Sequence, residues 1–395
     1  MVTIASWRSG NRVSLAALRF VVIGNPSCRR VLLFQDALCR LGLAPPVLVP
    51  WMELLAGRAD LARVVRGGDV VRLESPGRDW PVEQALLRYG VPAPDNEHYD
   101  RLSPGEVAAL SFERGRIHPP RQWYLGFRSA LEKVREQLAG CAPHHAMSDP
   151  DDIAVLFDKP ACHERLGEAG VRVPESLGSP GSFAELRERM VAARCPRIFV
   201  KLAHGSSASG IVAFQSQGDR HRAATTTEVV RVGDSMRLYN SRRVRVLSEL
   251  SEIAELIDAL CRHRVHVERW LPKAGLDGHC FDLRILAING EPQHGIARLS
   301  RSPMTNLHLL NGRVSLERVQ ERMRPEAWAA VLETCRHTAA AFPRSLQAGI
   351  DLLIGPDFRR HAVGEVNAFG DLLPGVLHLG QDTYTTQIEA VLQRS

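Results

Sequence analysis

The chain has 395 residues, of which 45% are hydrophobic and 24% charged, an ordinary globular composition with room for two or three domains at roughly 150 residues each. Its 31 Gly and 24 Pro follow no fixed period, which excludes collagen-like and low-complexity classes, and no run approaches the ~20 apolar residues of a membrane span. The net charge of +6 is spread along the chain without a block of Lys and Arg interleaved with aromatics, so it favours anionic small molecules or a weakly acidic partner over nucleic acid.

Residues 13–23 are apolar but broken by Arg19 and lack a small-residue cleavage site, which argues against a signal peptide. Residues 19–23 read as a strand, Gly24-Asn25-Pro26-Ser27 as a turn with a helix cap, and 31–41 as a helix. Further buried strands are expected at 47–49 and 69–73, with a helix at 81–89 stopped by Gly90. Strands alternating with helices imply a parallel sheet. The first turn is not G-x-G-x-x-G, so a dinucleotide fingerprint is absent.

Ser103-Pro104-Gly105-Glu106 is a capping box with Pro at the first helical position. A second, basic amphipathic helix follows at 121–138, its charged face solvated or offered to a partner. Polar residues 142–152, with His144 and His145, mark a domain boundary. A helix at 159–168 precedes a strand at 197–202. Residues 216–246 are polar and basic, a strand meander or a mobile loop, and 253–261 is a helix. Eight cysteines, among them Cys162 and Cys280, are scattered without a C-x-x-C pair. That pattern predicts reduced thiols of a cytoplasmic protein.

Four segments carry chemistry. Strand residues Ile198-Phe199-Val200-Lys201 open into His204-Gly205-Ser206-Ser207-Ala208-Ser209-Gly210, where small residues let backbone N–H groups approach phosphate oxygens beside a lysine charge. It is no P-loop, since Ile211 and Val212 replace the Lys and Ser/Thr; Ser209 likewise rules out a G-x-S-x-G elbow. The competing reading is a flexible inter-strand loop. Further on, Asp351 sits in an apolar strand, and Glu365 and Asn367 are spaced to share a strand face. Three hard oxygen donors suit magnesium; a carboxylate network supporting the fold is the alternative. Asp282 and Arg284 alternate onto one strand face, followed by Arg298, Arg301, Thr305-Asn306 and His308. An arginine there forks onto a phosphate or carboxylate, or forms an internal ion pair. Finally, His266-Val267-Glu268-Arg269-Trp270-Leu271 runs from an apolar strand into a loop and offers a wall to a purine.

In this order the segments resemble the ATP-grasp superfamily, in particular its glutamate-ligase and glutathione-synthetase-like carboxylate–amine ligases, over roughly residues 150–380. The resemblance implies an α/β (α+β) fold: an N-terminal parallel α/β domain at 1–146 with a helical insert near 103–140, an ATP-grasp small lobe with the phosphate loop at 147–262, and a large lobe with the metal and substrate site at 263–395. It implies that Lys159 and Lys201 contact ATP, that Gly205, Ser206, Ser207 and Gly210 form the flap, and that Glu268, Arg269, Trp270 and Leu271 form the adenine hinge. Asp351, Glu365 and Asn367 correspond to ligands of two magnesium ions, with manganese as the alternative ion. Arg284, Arg298 and Asn306 correspond to the catalytic stretch around an acyl-phosphate. Leu202 replaces the family's proline, and Ala208 replaces a loop glycine, restricting positive φ and predicting a stiffer loop.

The function so implied is a ligase: a carboxylate attacks the γ-phosphorus, and an amine or thiol displaces phosphate. Arg284, Arg298 and Arg301 suggest an anionic acid such as an amino acid or peptide, with residues 369–375 lining its pocket and His308 and Asp371 handling the amine proton. Cys162 and Cys280 are packing residues in this scheme. Small-molecule or peptide acid and amine substrates, no membrane, no nucleic acid and a homodimer are the expected partners. A small-molecule kinase and a non-catalytic ATP-binding module are the rival readings.

Overall fold

In a computed structural model, the structure describes residues 18–93, 99–206, 208–233, 235–370 and 373–394. The first unit holds β1 (Phe20–Ile23), α1 (Arg29–Arg40), β2 (Val47–Val49), α2 (Trp51–Leu55), α3 (Leu61–Val64), β3 (Val70–Leu73), α4 (Trp80–Tyr89), α5 (Pro104–Ala109), β4 (Arg116–Ile117), α6 (Pro120–Ala139) and β5 (His145–Ala146). Strands β2-β1-β3-β5 form a parallel sheet. Parallel strands of this kind are covered on both faces, and β1 and β3 are buried along their whole length, Arg72 of β3 included.

The capping box at Ser103 forms as expected: Glu106 N–H donates to the Ser103 hydroxyl at 3.3 Å, and Ser103 N–H donates to the Glu106 carboxylate at 2.8 Å. Gly90 caps the end of α4 as expected, with φ −76°. A Cβ there would lie 1.9 Å from the Gln122 carbonyl oxygen, and one on Gly126 would lie 1.9 Å from that of Leu86. Both glycines let α4 and α6 cross at backbone contact. One face of α6 buries Tyr124, Leu125, Phe127, Leu131 and Val134, and the charged face with Arg128 and Arg135 is exposed.

The second unit comprises α7 (Pro150–Leu156), α8 (Lys159–Glu168), β6 (Ser176–Gly178), α9 (Phe183–Ala192), β7 (Arg197–Leu202), β8 (Ile211–Gln217), β9 (Arg220–Val232), β10 (Ser235–Leu247), α10 (Leu250–Cys261) and β11 (Val265–Arg269). Its sheet runs β4-β10-β9-β8-β7-β11-β6. The basic stretch 216–246 is the strand meander rather than a mobile loop. Thr225, Thr226 and Thr227 are buried in β9, where β-branched side chains pack well. Strand β11, assigned from sequence to the third segment, instead pairs antiparallel with β7 and β6. Its valines, Val265 and Val267, share a core with Val200 and Leu202, so the apolar pairing draws the hinge strand into the second sheet.

The third unit has β12 (Gly275–Leu276), β13 (His279–Ile288), β14 (Glu291–Ser300), β15 (Gly312–Ser315), α11 (Glu317–Gln320), α12 (Pro325–Ala340), β16 (Gln347–Ile354), β17 (His361–Asn367) and α13 (Thr383–Arg394). Its antiparallel sheet is ordered β15-β14-β13-β16-β17, with β12 beside β13. Helix α13 returns to the first unit, where Gln387 accepts a hydrogen bond from Arg72 at 2.7 Å and Tyr384 meets the Phe34 ring edge-on. Among the described residues no helix is long and apolar enough to cross a membrane.

Candidate active site between the antiparallel sheets

Lys159 opens α8, whose N-cap Asp158 accepts from Ala161 N–H at 3.3 Å. That cap sends the lysine toward the third sheet. Its ammonium donates to the Gly205 carbonyl at 2.6 Å and lies 3.0 Å from Glu365 Oε1. Lys201, on β7, forms an ion pair with Glu268 of β11. Burial works to lower the Lys201 pKa, and the Glu268, Glu365 and Asp351 carboxylates reverse this and hold it above the ordinary lysine value. The same balance acts on Glu365: burial opposes its charge, but Lys159 and Lys201 win and hold its carboxyl at about 2. Lys159, Lys201, Glu268 and Glu365 line one cleft, with Leu156, Leu166, Val173 and Val363 as apolar wall and His163 and His266 beside them. Burial, reinforced by the Lys201 charge, holds His266 neutral, its pKa lowered to about 2.

The loop after β7 is tightly tied. Gly210 takes φ +66°, and a Cβ there would strike the Leu202 side chain at 2.2 Å, so the leucine that replaces proline packs on a position only glycine can fill. Ala208 adopts φ +54° despite its side chain, a conformation that costs roughly 1–2 kcal/mol in L-residues. The Thr226 hydroxyl donates to its carbonyl at 2.7 Å and pins it. The alanine therefore follows the left-handed path at a cost. Ser206 is exposed, and Ser207 lies outside the described residues.

Across the third sheet, register writes a charge pattern on one face. Arg298 stands opposite Asp282, Arg284 opposite Asp351, and Asp351 opposite Glu365. Arg284 pairs bidentately with Asp351, its second contact being 3.1 Å. Arg298 bridges the two acids, 2.7 Å to Asp282 and 3.0 Å to Asp351. Burial opposes both the Asp282 and Arg298 charges, yet their attraction drives the carboxyl well below and the guanidinium above its usual range. Both arginines are thus engaged by acids in this structure, the internal pairing that sequence left open. Asn367 spends its amide nitrogen on the Gly349 carbonyl at 3.2 Å, which leaves its oxygen as the end for a cation.

No cluster of three or more His, Cys, Asp or Glu side chains able to hold a metal occurs among the described residues. The set in question is two carboxylates and one amide oxygen on neighbouring strands. An all-oxygen donor set of this kind fits a hard divalent cation.

The remaining expected residues are not among those lining the cleft. In the hinge, Arg269 is bound to Glu175 at 2.6 Å, Trp270 packs tilted against Phe199 under Arg197, and Leu271 follows the end of β11. Asn306 precedes a short 3-10 turn, Leu307–Leu309, that includes His308. Arg301 is exposed and donates to His279 at 3.3 Å. Asp371 and Leu372 lie outside the described residues. Sequence reasoning gave no role to Arg121, His204 or Lys273. His204 stacks flat on Tyr124 at 4.0 Å, and its Nε2 lies 3.2 Å from Arg121. Burial and the Arg121 charge keep its pKa well below the ordinary value. Its place beside the small-residue loop was the only available signal.

No protein-family model matches the sequence, and none of the curated proteins compared matches it. Solved structures do match. The ATP-grasp ligase PsnB in complex with a phosphomimetic variant of a minimal precursor, Mg and ADP is 16% identical, with 95% of this chain and 98% of that one covered and a TM-score of 0.54. D-cycloserine synthetase DcsG is 13% identical, with 95% and 99% covered and a TM-score of 0.54. D-alanine–D-alanine ligase from Bacillus anthracis in complex with ATP is 12% identical, with 95% and 96% covered and a TM-score of 0.52. Over nearly its whole length, then, this chain has the fold of the ATP-grasp ligases.

Proposed function

We propose that the chain is an ATP-dependent ligase that joins a carboxylate to an amine through an acyl-phosphate. The observation that carries this reading is the cleft in which Lys159 and Lys201 meet Glu365 across two units of the chain. Lys159 and Lys201 bind phosphate oxygens of ATP as compact point charges. The loop from Gly205 to Gly210 covers them, and the hinge from Glu268 to Leu271 takes the base. Asp351, Glu365 and Asn367 would hold magnesium, which when bound neutralises charge on the triphosphate.

The acid's carboxylate oxygen attacks the γ-phosphorus in line, and the bond to ADP breaks. An amine then attacks the acyl carbon, and inorganic phosphate leaves with the bonding pair, while the amine proton passes to solvent or a nearby base. Arg284 and Arg298, released in part from Asp351, stabilise the oxygens of the acyl-phosphate. No protein nucleophile is required. Burial, aided by the Glu365 charge, pushes the Cys162 thiol up to about 12, so it is a packing group.

The acid we propose is an amino acid or a peptide carboxylate. PsnB with its precursor, on the same fold, supports the peptide form. The free cysteines suit a cytoplasmic enzyme. The test is ADP release from the full chain with magnesium, ATP and a panel of amino acids, short peptides and amines, read by mass spectrometry. An amide with ADP and phosphate supports the ligase. A stable phosphoester, or ATP binding without turnover of any pair, overturns it.

A further inference from the structure

Lys273 belongs to no motif of the sequence and lies in the loop between β11 and β12. Its side chain is 8% exposed, and each of its three donors finds a different kind of acceptor: Asp282 Oδ2 at 3.2 Å, the Thr305 hydroxyl at 3.0 Å and the Pro303 carbonyl at 3.1 Å. Thr305 donates to the same Asp282 oxygen. The other Asp282 oxygen takes Arg298 Nε at 2.7 Å, and Arg298 reaches Asp351 at 3.0 Å. Arg284 closes the row at its far end. Charges alternate from Lys273 to Arg284, and each is at most 10% exposed.

Next to its Arg284 end stands Asp351, a candidate metal ligand. At the other end is the chain segment that runs directly into Asn306. A buried ammonium without its partners would be costly, so the segment 303–305 and Asp282 are held to one geometry. Asp282 in turn gives Arg298 a permanent anchor when Asp351 is drawn to another cation.

We propose that Lys273 is a positioning residue: by clamping Asp282 to the 303–305 segment it holds Arg298 against Asp351 and fixes the backbone that leads into Asn306. The inference rests on the ligase reading for its purpose, but not for its test.

Hydrogen exchange on the full chain without ligand reads the clamp. In Lys273→Met, amides of 304–311 should exchange about tenfold faster, with β16 unchanged. Thr305→Val should do the same to a smaller degree, and the double variant should exchange no faster than Lys273→Met. Unchanged protection of 304–311 overturns the proposal; should Lys273→Met fail to fold, Thr305→Val alone decides. Kinetics of magnesium-dependent ATP hydrolysis supply the second arm. The kcat of Lys273→Met should fall about thirtyfold with the KM for ATP within about threefold, and Lys273→Arg should recover part of kcat. Equal kcat in variant and parent overturns the positioning role. A parent chain that neither binds nor hydrolyses ATP would sink the ligase reading, and the exchange result would still judge Lys273.

Discussion

Two buried charge clusters in this molecule look alike and differ in kind. In the first unit, Arg72 and Glu74 are fully buried together, 2.6 Å apart, with Arg72 over the Phe34 ring. Glu74 Oε2 has no hydrogen-bond partner among the described residues. In the third unit every carboxylate of the row from Lys273 to Arg284 binds at least two cationic or hydroxyl groups. The first is an ion pair that the fold tolerates. In the second every carboxylate is satisfied, and its Asp351 stands opposite Glu365, which lines the cleft. Buried charge satisfied on all sides and one strand away from a cleft-lining carboxylate is the kind a site uses.

The comparison can be broken in several places. Glu365→Gln should cut magnesium-dependent ATP turnover by about 100-fold or more with the fold retained. Asp351→Asn should do as much but also lower Tm, because it leaves Arg284 and Arg298 without their shared acid, at about 3–5 kcal/mol. Turnover equal to the parent in Glu365→Gln would remove the metal assignment. In the first unit, Glu74→Leu alone should cost about 3–5 kcal/mol in urea unfolding, whereas Arg72→Met with Glu74→Leu should return to within about 1 kcal/mol of the parent or exceed it. A double variant as unstable as the single would make the first cluster as specific as the second.

Smaller effects sharpen the contrast. Lys201→Ala should weaken ATP binding roughly 30-fold by calorimetry, and unaltered affinity would remove its phosphate role. His266 is buried neutral, with its pKa lowered from 6.5 to about 2. A group depressed in this way stabilises the fold fully above the unfolded value, and that stability drains away as pH falls from about 6.5 toward 2. His266→Gln should therefore flatten the stability–pH curve below pH ~6.5 by up to about 1.4 kcal/mol per pH unit. An identical slope would show that the imidazole is not held neutral. Least of all, Ala208→Gly should relieve the left-handed strain and change Tm by the equivalent of at most about 1 kcal/mol, the relief being offset by chain entropy.

What sequence could reveal here was local. The α8 boundaries, the capping box at Ser103 and the same-face spacing of Glu365 and Asn367 depend on neighbours a few residues away. The packing roles of Gly90 and Gly126 were hidden because they answer to each other across a helix crossing 36 positions apart in sequence. Likewise, the engagement of Arg284 and Arg298 by Asp351 follows from strand order and register, which no spacing rule gives. Strand β11 was misplaced because its apolar pattern fits either sheet. Lys273 was invisible because a loop lysine carries no signal until its three acceptors are in place.

The most direct measurement is a double-mutant cycle by calorimetry, with magnesium–ATP titrated into the full parent chain, Lys201→Ala, Glu365→Gln and the combined variant. If ammonium and carboxylate from different units serve one bound nucleotide, the parent binds and the two losses are strongly non-additive. Failure of the parent to bind, or losses that simply add, would contradict a shared site.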